Sequence, residues 1–218
     1  MTITAVVVED DDFTRAMLVG SLRAQDIDVV IETALPSSAL ELSRKYPPDV
    51  AILDLHLGPG PTGIDLAIEL RLLHPKIGIV LLTSYEDPRL LDSNLPEIPF
   101  GSVYLNKKSV SSIEILLSSI RHAVKLKGEG VASRQKAKVT SGISKLSDTQ
   151  LETLRLMSKG LSNAEIAKRR FVTEKSVEQS IARLAKSMGL EQNATRNQRV
   201  HMAKVYFRAL GVSVDEEL

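Results

Sequence analysis

The chain has no cysteine among its 218 residues, which excludes a disulfide scaffold, a thiol nucleophile and every thiolate metal site. No apolar run reaches the roughly 18 residues that a membrane-spanning helix needs. The N-terminus carries no basic segment leading into an apolar one. The expectation is a cytoplasmic protein with no membrane partner. An excess of one charge sign is also missing, since the formal net charge is +1. With 43% hydrophobic and 25% charged residues, the composition excludes a largely disordered or fibrous chain. The length fits two domains of about 100 residues each.

The balanced total hides a division. Residues 1–124 hold 10 basic against 17 acidic residues, and residues 125–218 hold 18 against 10. An acidic module joined to one that favours a polyanion explains this, and so does chance variation between two ordinary surfaces. The stretch 125–145 carries six Lys or Arg, three Gly and few large apolar residues, and it reads as an exposed linker. The expected division is therefore a first domain over 1–124, a linker over 125–145, a helical domain over 146–212 and a tail over 213–218.

In the first domain, short apolar runs alternate with amphipathic stretches. Strands are expected at Ile3–Val8, Asp28–Ile31, Val50–Leu53, Ile77–Leu82 and Val103–Leu105. Helices are expected at Phe13–Ala24, Pro36–Tyr46, Ile64–His74 and Val110–Leu126. Near-continuously apolar strands separated by helices imply a five-stranded parallel, doubly wound α/β sheet buried on both faces. The functional groups of such a sheet gather at the C-terminal ends of its strands. Glu9 and Asp10, Asp54, Thr83 and Lys107 all fall there.

Three carboxylates crowded together repel one another, and Glu9, Asp10 and Asp54 would be relieved by a hard divalent cation such as Mg²⁺. Lys107 can neutralise an anionic ligand, and Thr83 offers a hydroxyl. A carboxylate nucleophile, a metal, a lysine and a hydroxyl fit phosphoryl transfer through an aspartyl phosphate. Each residue alone has a blander explanation, Asp11 and Asp12 as helix-capping acids and Lys107 as a solvated charge. Their joint placement at strand ends favours the site.

The motifs Ala-Val-Val-Val-Glu-Asp, Val-Ala-Ile-Leu-Asp-Leu, Leu-Leu-Thr-Ser and Tyr-Leu-Asn-Lys resemble those of receiver domains of two-component response regulators. The resemblance implies that Asp54 accepts a phosphoryl group from a sensor histidine kinase. It also implies that Glu9, Asp10, Asp54 and the backbone carbonyl of His56 hold Mg²⁺, and that Thr83 and Lys107 grip the phosphoryl oxygens. Tyr104 becomes the aromatic that swings inward on activation, although half-buried packing is the commoner role of such a residue. Such a protein is an acceptor rather than an enzyme, apart from any hydrolysis of its own aspartyl phosphate.

Two departures stand out. The loop after Asp54 is one residue longer before Gly63 than the family pattern. Pro88, Pro96 and Pro99 lie where the family has its fourth helix, and they would shorten or break it. A phosphorylation-independent receiver that answers to a protein or small ligand is the alternative these departures motivate. Gly58, Gly60 and Gly63 also satisfy G-x-G-x-x-G. Pro59 and Pro61 lack the N–H groups a pyrophosphate needs, and the pattern follows the third strand, so it reads as a turn beside Asp54.

Beyond the linker the periodicity is helical. Ser147 opens a helix through Ser158, stopped by Gly160. Ser162 caps Asn163–Arg170, with Glu165 completing a capping box. Thr173 caps Glu174–Met188, stopped by Gly189, and a last helix runs from about Asn197 to Leu210, stopped by Gly211. The segment Gly-Leu-Ser-Asn-Ala-Glu-Ile-Ala and its continuation resemble the helix-turn-helix DNA-binding domain of the LuxR/NarL family.

That resemblance makes Glu174–Met188 the helix that reads double-stranded DNA. Lys175, Gln179, Ser180 and Arg183 are its contacts, and Lys168, Arg169 and Arg170 lie near the DNA backbone. Glu178 and Ala182 stand where the family is often basic. The last helix has apolar surface that would pair two such domains in an active homodimer, or simply pack its own core. The expected function is a phosphorylation-controlled, DNA-binding transcriptional regulator.

Overall fold

The computed structural model describes residues 2–92, 94–126, 142–190 and 197–214. They form two compact units. One draws on Met1–Thr83 and Leu95–Lys138, the other on Ser84–Asn94 and Val139–Leu218. Most of the expected linker, and the end of the expected tail, lie outside the described residues.

The first unit runs β1 (Ile3–Val8), α1 (Asp12–Arg23), β2 (Ile27–Thr33), α2 (Pro36–Lys45), β3 (Val50–Leu53), α3 (Gly63–Leu73), β4 (Gly78–Thr83), β5 (Val103–Asn106) and α4 (Ile113–Leu126). All pairings are parallel, in the order β2-β1-β3-β4-β5. This is the doubly wound α/β sheet read from the sequence. The middle strands β3 and β4 are buried at every position, as a strand covered on both faces must be.

Successive strand side chains point to opposite faces. Ala5, Val7, Val50, Ile52 and Val80 share a core with Val19 and Leu22 of α1 and with Leu116, Leu117, Ile120 and Ala123 of α4. The intervening Val6, Val8, Ala51 and Leu53 are also buried. They require cover on the other face, and α2 and α3 contact β1 to β4 and each other.

One expected helix starts late, and the break expected from the prolines after β4 is present. The helix placed from Val110 starts at Ile113, because Lys107–Ser109 forms a 3-10 turn first. Asn106 accepts from the Lys108 N–H at 2.8 Å, and its carbonyl accepts from Ser109 Oγ at 2.7 Å. Val110 packs on the core from outside the helix, which is why its spacing looks helical. Between β4 and β5 the described residues hold no α-helix, only a 3-10 turn at Pro88–Leu90 with Pro88 at its start. Proline fixes φ and lacks the N–H a longer helix would use.

In the second unit, α5 (Asp148–Ser158), α6 (Asn163–Arg170), α7 (Glu174–Ser187) and α8 (Gln198–Ala209) surround one apolar core. Ser147 caps α5 through a reciprocal box with Gln150. Ser162 accepts from Glu165 N at 3.2 Å, the hydroxyl half of the expected box. Gly160, Gly189 and Gly211 adopt φ of 81°, 67° and 92° just past helix ends, where a Cβ would be strained. Leu151, Leu154, Ile166, Val177, Ile181 and Leu184 are buried in that core, and Leu161 packs against it.

Candidate functional site

The acidic site is assembled where β1, β3 and β5 end. β1 and β3 are hydrogen-bonded neighbours, which brings the residues that follow Val8 and Leu53 together. Ligand oxygens of Glu9, Asp10 and Asp54 lie within 4.8 Å of one another. Glu9 is 2% exposed and Asp54 9%, whereas Asp10 faces solvent. The neighbouring acids have a different task. Asp11 caps α1 by accepting from Thr14 N at 2.7 Å, and Asp12 sits in its first turn. Those hydrogen bonds hold the Asp11 carboxyl below its ordinary range.

Lys107, in the turn after β5, reaches into the cluster. Its Nζ donates to Glu9 Oε2 at 2.7 Å and to Asp54 Oδ2 at 3.0 Å. Burial works against its charge, but the attraction of Asp54 and Glu9 outweighs burial and holds the ammonium above its ordinary pKa. Glu9 is pushed upward, first by burial and further by Asp54 and Asp10, against the pull of Lys107. These are the marks of a crowded, under-neutralised anionic pocket. Three carboxylates with no softer donor among them suit a hard cation.

Several contacts fix the groups of the pocket. Asp54 Oδ1 accepts from the Leu55 N–H at 2.6 Å, leaving Oδ2 as the oxygen that faces Lys107. Arg15 of α1 donates to the Glu9 carbonyl at 2.7 Å and also pairs with Asp12. Sequence reasoning missed Arg15, since an arginine on an amphipathic helix carries no signal of what it fixes. Gly63 of the glycine-proline loop is set by contact, because a Cβ there would lie 2.0 Å from the Asp54 carbonyl oxygen.

The structure locates the His56 imidazole, with Nδ1 3.8 Å from Asp10 Oδ2. Thr83 is fully buried at the end of β4, opposite Asn106 in register. Tyr104 is half-buried on β5 opposite Leu81.

The second unit carries the other candidate surface. On α7 the residues Val177, Ile181, Leu184 and Ala185 are buried. Lys175, Gln179 and Arg183, spaced four apart, form an exposed line on the opposite face. Glu178 and Ala182 are exposed beside them. Ser180 is half-buried, and its hydroxyl donates to the Ser176 carbonyl at 2.8 Å.

Lys168 and Arg169 are exposed. Arg170 is half-buried and turns inward, donating to Thr153 Oγ1 at 2.6 Å. Between α6 and α7 the chain reverses through Phe171, which is left-handed at φ 54° and 95% exposed. Met202, Tyr206 and Ala209 of α8 are buried, while Val200, Phe207 and the following Val212 are exposed. No described helix is long and apolar enough to cross a membrane.

Comparison with known proteins matches both units. Residues 5–98 match the response regulator receiver domain, and residues 144–203 match the bacterial regulatory proteins of the luxR family. A Mycobacterium tuberculosis protein, the DNA-binding transcriptional activator DevR/DosR, is 33% identical over 199 residues, covering 85% of this chain and 88% of its own. The Staphylococcus aureus oxygen regulatory protein NreC is 29% identical over 180 residues, covering 76% and 81%. In fold the chain is similar to the response regulator RcsB in a DNA complex, with a TM-score of 0.56 at 20% identity over 96% of this chain and 99% of that one.

Proposed function

The chain belongs to the response regulators that join a receiver domain to a luxR-family DNA-binding domain, and on that premise we propose that phosphorylation of Asp54 by a sensor histidine kinase controls how its helical unit binds double-stranded DNA. The observation that carries this reading is the environment of Asp54. It is a nearly buried carboxylate flanked by two others, with one oxygen fixed by Leu55 and the other facing the Lys107 ammonium.

The Asp54 oxygen that faces Lys107, Oδ2, attacks the phosphorus of a phosphohistidine. An O–P bond forms, the P–N bond breaks, and the ring leaves with the bonding pair as neutral imidazole, its other nitrogen already holding a proton. Glu9, Asp10, Asp54 and the carbonyl of His56 would hold Mg²⁺, which when bound offsets the repulsion between an anionic donor and an anionic acceptor. Lys107 stays charged throughout and passes from Asp54 Oδ2 to a phosphoryl oxygen. The hydroxyl of Thr83 donates to another, and Tyr104 follows into the space Thr83 vacates. The protein is thus a phosphoryl acceptor rather than a catalyst for other molecules, acting in the cytoplasm.

On DNA, the exposed line of Lys175, Gln179 and Arg183 faces the major groove. Gln179 suits an adenine edge, Arg183 a guanine or phosphate, and Lys175 and Ser180 phosphate. Lys168 and Arg169 lie along the backbone. Arg170 acts through Thr153 and orients the end of α6. The exposed Val200, Phe207 and Val212 of the α8 region suit pairing with a second copy in the active homodimer.

Intact mass after acyl-phosphate treatment with Mg²⁺ tests the acceptor: about 80 Da is gained by the wild type and none by Asp54→Asn. The 3-10 turn that replaces an α-helix after β4 favours one other reading, a receiver that answers to a bound protein or small ligand without phosphorylation. Absence of the mass gain selects it.

A further inference from the structure

Ser84–Asn94, the segment that directly follows Thr83, belongs structurally to the helical unit. Leu90 is 3% exposed and lies in the same core as Leu151, Leu154 and Met157, with Tyr85 packed against it. The backbone joins as well. Glu86 N donates to the Ala209 carbonyl at the end of α8 at 3.0 Å, and a Cβ on Gly211 would lie 2.9 Å from that of Ser84.

Arg89 holds the other end. Its Nη1 donates to the Leu146 carbonyl at 2.9 Å and to Asp148 at 2.8 Å, at the N-terminus of α5. Asp87, nearly buried, grips the same guanidinium through Nε at 3.0 Å and Nη2 at 2.8 Å. Arg155 of α5 donates to the Arg89 carbonyl at 2.7 Å. This fork uses donors on both sides of a planar cation, so a lysine cannot replace it.

We propose that the surface of the helical unit between the start of α5 and the end of α8 is a docking site whose occupant is the chain's own Ser84–Asn94 segment, latched by Arg89. The proline-interrupted composition fits that role. A continuous α-helix would bury its backbone groups internally, whereas this segment spends Glu86 N and the Arg89 carbonyl on α8 and α5. The docking is a property of the chain without a phosphoryl group. Its consequence rests on the reading of Asp54 given above: a pull on Thr83 reaches Ser84 next and then the contact with α8. The phosphoryl site is thereby tied to the helix whose exposed face suits pairing.

Hydrogen exchange on the full-length protein, with no phosphodonor, tests the docking by itself. Arg89→Ala is expected to speed exchange at least tenfold in 84–94 and at the start of α5, with β1, β3 and β4 unchanged. Arg89→Lys is expected to fall between, and Asp148→Asn to add little once Arg89 is gone. Unchanged exchange in α5 and α8 in both Arg89 variants overturns the proposal.

The cysteine-free chain allows a second check that leaves the fork intact. Ser84→Cys with Val212→Cys should be joined within one molecule by a short bifunctional maleimide, and failure to join also overturns it. The coupling is read by repeating the exchange after acyl phosphate. Loss of protection in 84–94 supports it. If intact mass shows no phosphoryl gain, the reading of Asp54 falls while the docking result stands on the donor-free data.

Discussion

Gly63 packs its α-carbon against the backbone of Asp54 so closely that a Cβ would sit 2.0 Å from the Asp54 carbonyl oxygen and 2.9 Å from its carbonyl carbon. The glycine at the start of α3 is therefore part of the acidic site, though its residue type carries no chemistry. Backbone, unlike a flexible side chain, cannot swing aside.

Gly63→Ala is accordingly expected to destabilise the first unit by about 1–3 kcal/mol, the usual cost of overpacking. It should also slow phosphoryl uptake, because the displaced atoms belong to Asp54. Urea unfolding and the rate of mass gain check the two effects together. Gly58→Ala, at φ 78° with open space around it, should cost less and leave uptake intact.

Asp10 is the exposed member of the three carboxylates. Asp10→Asn removes one repulsive charge without opening a cavity, so the metal-free protein should gain roughly 0.5–1 kcal/mol. The same change removes a hard oxygen ligand and should weaken Mg²⁺ binding at least tenfold by calorimetry. A variant that loses stability and keeps its Mg²⁺ affinity contradicts the assignment of Asp10.

Lys107 neutralises a buried acid. Lys107→Ala leaves Glu9 without its cation, and at neutral pH it should cost about 3 kcal/mol, as for a broken buried pair. The raised Glu9 carboxyl holds its proton longer in the folded state than in the unfolded chain. Its contribution is therefore present at acid pH and lost as pH rises through the folded value. Losing Lys107 widens that difference, so the deficit should shrink toward acid pH. In the wild type the Lys107 ammonium, held above its ordinary 10.5, contributes stability up to that pH and loses it above. Denaturant titrations across the pH range check both slopes.

Glu178 stands exposed beside the line of Lys175, Gln179 and Arg183. Glu178→Lys should raise general DNA affinity and steepen the dependence of log K on log salt by about one contact, roughly 0.9 in slope. An unchanged slope would mean that this side of α7 does not face DNA.

Much of this was legible in residue order. Val50–Leu53 is strand at the residues expected because the apolar run is too short for a helix and β-branched at Val50 and Ile52, which suits a strand buried on both faces. Glu9, Asp10, Asp54 and Lys107 converge because parallel strands end on one side. Other features depend on partners far along the chain. Arg170 reads as one more charge in a basic run, and only Thr153, 17 positions earlier, turns it inward. Leu90 sits among prolines with no periodicity to mark it as core, yet the helical unit buries it. The α8 residues share one apolar pattern, but packing divides them into buried Tyr206 and exposed Phe207.

The most direct test of the central claim is the DNA affinity of the full-length protein before and after acyl-phosphate treatment with Mg²⁺, at one fixed salt concentration, with Asp54→Asn alongside. The account predicts at least a tenfold tightening, about 1.4 kcal/mol, for the wild type and none for the variant. Equal affinities for treated and untreated wild type, with the phosphoryl group verified on Asp54, would contradict it.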